Sequence, residues 1–153
     1  MFPAAAMPAA VHPRPAVYSA ALLGLAAAVA DPYALVMAAR AGVLAKTAFD
    51  VAGVLQLRAD ELADLLHTTT KTLRTYREAK KRLNPAASEQ VLKLLALARR
   101  GEEVFGPPAA FRRWLSKPAY GLGAQVPLAL LETSGGIDLV TEELGRIAYG
   151  DLA

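Results

Sequence analysis

Cysteine is absent from this chain, which rules out disulfides and thiolate metal sites and fits a reducing compartment. Histidine is nearly as scarce: His12 and His67 lie far apart with no metal-ligand spacing around them, so no metal site is expected. No apolar run reaches the roughly 20 residues that cross a bilayer, and no membrane partner is expected. Catalytic constellations are missing too. No paired carboxylates or nucleophile with a base emerge, Gly121-x-Gly123 lacks a preceding strand and a third glycine, and Ser134 beside Gly135 has no histidine partner. Neither an enzyme nor a cofactor is expected.

What is present is alanine. Of 153 residues, 54% are apolar, with alanine in excess of the β-branched types, which favours helix. The expected class is all-α, with one core or two small contiguous ones. A net charge of +3 hides an uneven distribution: residues 1–101 carry 13 Lys or Arg against 7 Asp or Glu, and residues 102–153 carry 4 against 7. A basic front and an acidic back suggest two different partners.

Arg14, the apolar run over 16–30 and Ala28-Val29-Ala30 imitate a secretory signal with its small-residue cleavage site. Asp31-Pro32 directly afterwards reads instead as a helix cap with proline at the first helical position. The favoured reading is an N-terminal extension over 1–30: a Pro/Ala-rich tail over 1–14, then an uncharged helix at about 16–29 that something must cover. From Asp31 short helices follow. Leu35, Val36 and Ala39 share a face before Gly42, and Thr47 with Asp50 resembles a weak capping box for a helix through Leu55. A third helix over 59–66 places Leu62, Leu65 and Leu66 together, with Asp60 and Glu61 in the first turn, where the helix dipole favours them.

His67-Thr68-Thr69 interrupts the pattern. Two helices crossing steeply at a tight turn need a small residue at the approach, here Ala63, and apolar residues gripping across the bend, here Leu62, Leu66, Leu73 and Tyr76. Thr69 can cap the second helix, leaving Thr70, Lys71, Arg74 and Thr75 near its exposed N-terminal face, the end that enters the major groove in this motif. Six cations, Lys71, Arg74, Arg77, Lys80, Lys81 and Arg82, stand against Glu78 alone. They are suited to guanine edges or phosphates; the bland counterpart is a solvated basic face on a helical hairpin. His67 reads as a turn residue with a solvated ring.

Asn84-Pro85 caps the longest helix, over 85–105, whose stripe is Val91, Leu94, Leu95, Ala98 and Phe105. Gly106-Pro107-Pro108 stops it and marks the boundary between units at 31–105 and 106–153. In the second unit Phe111, Trp114 and Leu115 pin a short helix onto a small core, and the loop over 118–127 is too rich in Gly and Pro for helix. Pro127 starts a short helix through Glu132; Gly135-Gly136 opens a last helix lined by Ile137, Val140, Leu144 and Ile147, and Gly150 ends it.

Several of these segments recur together, in order and with matching gaps, in one family. They are Glu61-Leu62-Ala63 with Lys71-Thr72-Leu73-Arg74, Leu83-Asn84-Pro85 with Ser88-Glu89, Glu103-Val104-Phe105-Gly106, and Trp114-Leu115. Pro118, Leu122-Gly123, Pro127-Leu128, Leu131, Leu144-Gly145-Arg146-Ile147 and Gly150 complete the series. From about Asp31 to Ala153 the chain resembles the Xre/MbcA/ParS antitoxins of bacterial type II toxin-antitoxin modules. The resemblance implies an Xre-like helix-turn-helix bundle followed by a small helical toxin-binding domain, in a cytoplasmic, dimeric protein. It implies two partners: operator DNA, for autoregulation, and a RES-domain toxin that consumes NAD, neutralised when the C-terminal domain covers its active site. By this resemblance the DNA-facing candidates are Thr69, Thr70, Lys71, Arg74 and Arg77, and the toxin-facing candidates are Leu122, Gly123, Arg146, Tyr149, Gly150 and Asp151. Arg58 stands where the family tends to have a Ser cap, Lys71 where Arg is common, Ala119 for a frequent Asn and Ala124 for a second Gly. The alternative class is a helix-turn-helix transcriptional regulator whose C-terminal domain dimerises or senses a ligand.

Overall fold

Helix boundaries follow the capping chemistry closely. The computed structural model describes residues 18–150, so the 1–14 tail with His12 and the candidate Asp151 lie outside the described residues. Nine α-helices run through them: α1 Ala20–Gly24, α2 Pro32–Ala41, α3 Ala45–Leu55, α4 Ala59–Leu65, α5 Thr70–Glu78, α6 Pro85–Phe105, α7 Pro108–Leu115, α8 Pro127–Leu130 and α9 Ser134–Ala148. No strand occurs among the described residues, only isolated bridges at Leu44–Arg82 and Ala119–Gln125, so the all-α expectation holds. Asp31, Thr69, Asn84 and Thr133 each accept a backbone N–H three residues on, which satisfies one of the donors that every helix start leaves open.

Two local expectations are corrected. The single helix at about 16–29 is a short α1, capped by Ser19, followed by a 3-10 turn over Ala27–Val29. Alanine propensity yields here to packing, since the break lets Leu22 enter the core while Leu25 and Val29 lie against it from the next turn. Thr47 does not open α3 but lies buried inside it. The true start is fixed from a distance: the Ala45 N–H donates to the Lys81 carbonyl at 3.0 Å and the Leu83 N–H donates to Val43 at 2.8 Å. The His67 ring is exposed in the turn, as expected, and in addition donates from Nε2 to the Glu132 carbonyl at 2.7 Å.

Ser88 gives the Leu83-Asn84-Pro85 junction its logic. Fully buried, its Oγ accepts the Val43 N–H at 2.9 Å and donates to the Leu83 carbonyl at 3.1 Å, so the start of α6 is tied to the α2–α3 connection. From there α6 forms the axis of the molecule. Its expected stripe is widened by Leu92 and Leu97, both fully buried, because α2 and α3 pack on it as well as α7 and α9. Gly101, where α7 meets it, faces the Phe111 ring so closely that a methyl group would overlap the ring carbons. Phe105, Phe111 and Trp114 then stack at centroid distances of 5.6–6.1 Å.

The separate small core expected after Gly106 does not form. Phe111, Leu115, Leu131, Ile137, Val140 and Leu144 join the same buried cluster as Leu55, Leu62 and Leu73. Polar ties reinforce the junction. Arg112 on α7 pairs with Glu61 on α4 at 3.0 Å, and Lys93 on α6 contacts Asp138 at 2.9 Å and Ser134 at 2.7 Å on α9.

Candidate functional site

The first candidate surface is α5 and the turn before it. Ala63, Leu62, Leu66 and Leu73 are buried and Tyr76 is packed against them, so the bend is gripped as its sequence requires. His67, in the glycine-like place, adopts a φ of 58°, a conformation that costs a non-glycine residue some strain. The Thr69 hydroxyl accepts the Thr72 N–H at 3.1 Å and donates to the Thr72 hydroxyl at 2.9 Å, so it is committed to the helix start. Lys71 and Arg74 are exposed, Thr70 is half-exposed, and none of the three side chains has a partner among the described residues. Arg77 is different: its guanidinium carbon sits 4.1 Å from the centroid of the Phe49 ring on α3. Arg82 is also engaged, donating to the Gly42 carbonyl at 2.6 Å, and Lys81 lies 5.2 Å from the Tyr76 ring centroid.

The second surface gathers the 118–127 loop and the end of α9. Ala119 and Gln125 pair across a tight turn that holds a 3-10 segment over Tyr120–Leu122. Leu122 packs inward, Gly123 is exposed with a φ of 65°, and Ala124 follows in the same left-handed region at 64°, where a second glycine is usual in the resembled family. Gly121 presses its backbone against the Glu143 carboxylate, and any side chain there would overlap it. Glu143, only 2% exposed, bonds Arg146 at 2.7 Å. The loop and the candidate Arg146 are thus joined through a carboxylate that sequence reading missed. Its only linear signal is the Glu143-x-x-Arg146 spacing of a helical ion pair. Tyr149, 80% exposed, and Gly150 close the described chain. Tyr120, 94% exposed, is a second aromatic that was not singled out.

Two family models match the chain. One, described as the antitoxin Xre-like helix-turn-helix domain, covers residues 34–96, and the other, described as the antitoxin Xre/MbcA/ParS C-terminal toxin-binding domain, covers residues 100–150. The chain belongs to the Xre/MbcA/ParS-type antitoxins. No curated protein matched in a comparison of sequences.

Both matched stretches of this antitoxin meet within α6, the helix that carries the shared core. The basic surface lies in the first stretch and the loop–α9 surface in the second, which fits a DNA-binding role and a toxin-binding role. Electrostatics at the seam are set by Glu61. Burial pushes its carboxyl upward, but the Arg58 amide, then the Arg112 guanidinium, outweigh this and hold it below 4.5. At the other end a hydrogen bond to Glu103 raises the Arg100 guanidinium against the opposing effect of burial, and the Tyr149 hydroxyl adds to it. No helix among the described residues is long and apolar enough to cross a membrane.

Proposed function

We propose that this antitoxin neutralises a RES-domain, NAD-consuming toxin by laying its C-terminal surface over the toxin's active-site entrance, and that as a homodimer it represses its own operon through α5. Residues 31–105 serve DNA and residues 106–153 serve the toxin, with 1–30 as an extension to the first. The toxin-facing group is Leu122, Gly123, Arg146, Tyr149, Gly150 and Asp151, to which Tyr120 is added. The DNA-facing group is Thr69, Thr70, Lys71, Arg74 and Arg77, with Thr69 acting as the cap that presents the others.

The observation that carries the reading is the contrast within residues 100–150. Leu115, Leu131, Ile137 and Leu144 are spent on the core, yet Tyr120 and Tyr149 remain outside it. Exposed tyrosines suit a protein interface, where amphipathic rings supply contact area at small entropic cost. Co-expression tests it. A RES-type toxin encoded beside this gene should deplete cellular NAD and arrest growth, and the full chain should restore both. A chain ending at Leu144 keeps that core residue but loses Arg146 and Tyr149, and it should not protect. Protection by the shortened chain would show that its tail is not the neutralising element.

A further inference from the structure

The basic helix carries a cation whose posture is set by another helix. Leu73 and Tyr76 define the inward side of α5, so Lys71 and Arg74 face outward while Arg77, four residues after Leu73, stands on the flank beside α3. There its guanidinium lies over the Phe49 ring at 4.1 Å and is still exposed. Asp50, the residue after Phe49 in the chain, is paired with Lys46 at 2.9 Å. A guanidinium attracted to a ring face keeps the N–H donors around its edge, and those of Arg77 bond no group among the described residues.

The dimensions of a duplex give this posture a meaning. An α-helix about 10–12 Å across fills a major groove about 12 Å wide, so its outward face meets base edges and its flanks run along the phosphate walls. Resting on the reading that α5 engages DNA, we propose that Phe49 is a positioning residue that holds the Arg77 guanidinium ready for a backbone phosphate. A free arginine gives up much rotamer freedom when it makes such a contact; one already seated on a ring has lost that freedom in the folded protein. Phe49 itself touches no DNA in this arrangement. Its effect passes entirely through Arg77, and that makes it separable by experiment.

The full chain is titrated against a labelled duplex of about 30 base pairs of arbitrary sequence over a series of salt concentrations. Arg77→Ala lowers the slope of log affinity against log salt by about 1, the signature of one lost phosphate contact. Phe49→Leu weakens binding about 2- to 5-fold, the range of an exposed cation–π contact, whereas Phe49→Tyr, which keeps the ring, binds as the wild type does. In the Arg77→Ala background Phe49→Leu has no further effect. If it weakens binding equally there, the ring acts through the fold and the proposal fails; it fails also if Phe49→Leu binds like the wild type. Phe49→Met replaces Phe49→Leu should the latter not fold. A wild-type chain with no affinity for this duplex or for the DNA upstream of its own gene sinks the DNA reading itself, a result distinct from a binding protein in which Phe49 is silent.

Discussion

Adding one methyl group at Gly101 tests how tightly α7 is seated on α6. By helix propensity alone, Gly101→Ala should stabilise the interior of α6 by about 1 kcal/mol. The position argues otherwise, because the new Cβ would overlap the Phe111 ring. That ring cannot retreat freely: Phe105 at 5.8 Å and Trp114 at 6.1 Å pack against it, and Phe111 is itself buried. Overpacking of a filled site costs about 1–3 kcal/mol, and an overlap this close calls for the upper part, about 2–3 kcal/mol, so after the propensity gain a net loss of about 1–2 kcal/mol is expected. Gly53 supplies the control, being an exposed glycine inside α3 with no atom near its missing Cβ. Gly53→Ala should therefore gain about 0.5–1 kcal/mol. The same substitution in two helices should split by about 1.5–3 kcal/mol, read as urea midpoints at constant slope and as melting temperatures about 3–12 °C apart. Equal stability of the two variants would refute the reasoning, since it would mean that α7 shifts without cost.

Further predictions concern the seam and the basic helix. Arg112→Ala leaves the half-buried Glu61 carboxylate with only the exposed Arg58 guanidinium at 3.5 Å and should cost about 1–3 kcal/mol in chemical denaturation, the range for a pair that retains some solvent. Because the folded Glu61 carboxyl lies below its ordinary 4.5, it contributes stability that is present above that value and is lost as pH falls through the lower folded value. Glu61→Gln should flatten the acid side of the stability curve, and an unchanged acid limb would rule out this source. Thr69→Ala removes the cap of α5 and should lower stability by about 1 kcal/mol, with amide exchange fastest at Thr72, whose N–H the hydroxyl accepts. On the proposed duplex-facing role, Arg74→Ala should weaken operator binding by about 1–3 kcal/mol if it reads a base; an equal loss on random DNA would make it a phosphate contact.

Local chemistry was written plainly in the chain. Asp31-Pro32, Thr69 and Asn84-Pro85 determined three helix starts, because a side-chain oxygen three residues before an open N–H needs no distant partner. The 3.6-residue periodicity of Val91, Leu94, Leu95 and Ala98 determined α6, and Gly106-Pro107 its end. Tertiary structure decided everything that depends on what lies opposite. Thr47 looked like a cap because nothing linear shows that Lys81 already occupies the Ala45 N–H. The bond from the exposed His67 ring to the Glu132 carbonyl has no linear sign, because the two are 65 residues apart. Glu143 gave no sign of burial until Gly121 was brought against it, and Arg77 looked like any surface cation until Phe49 was beneath it. A sequence encodes the period of a helix face; which other face it meets is set by packing all of them at once around one core.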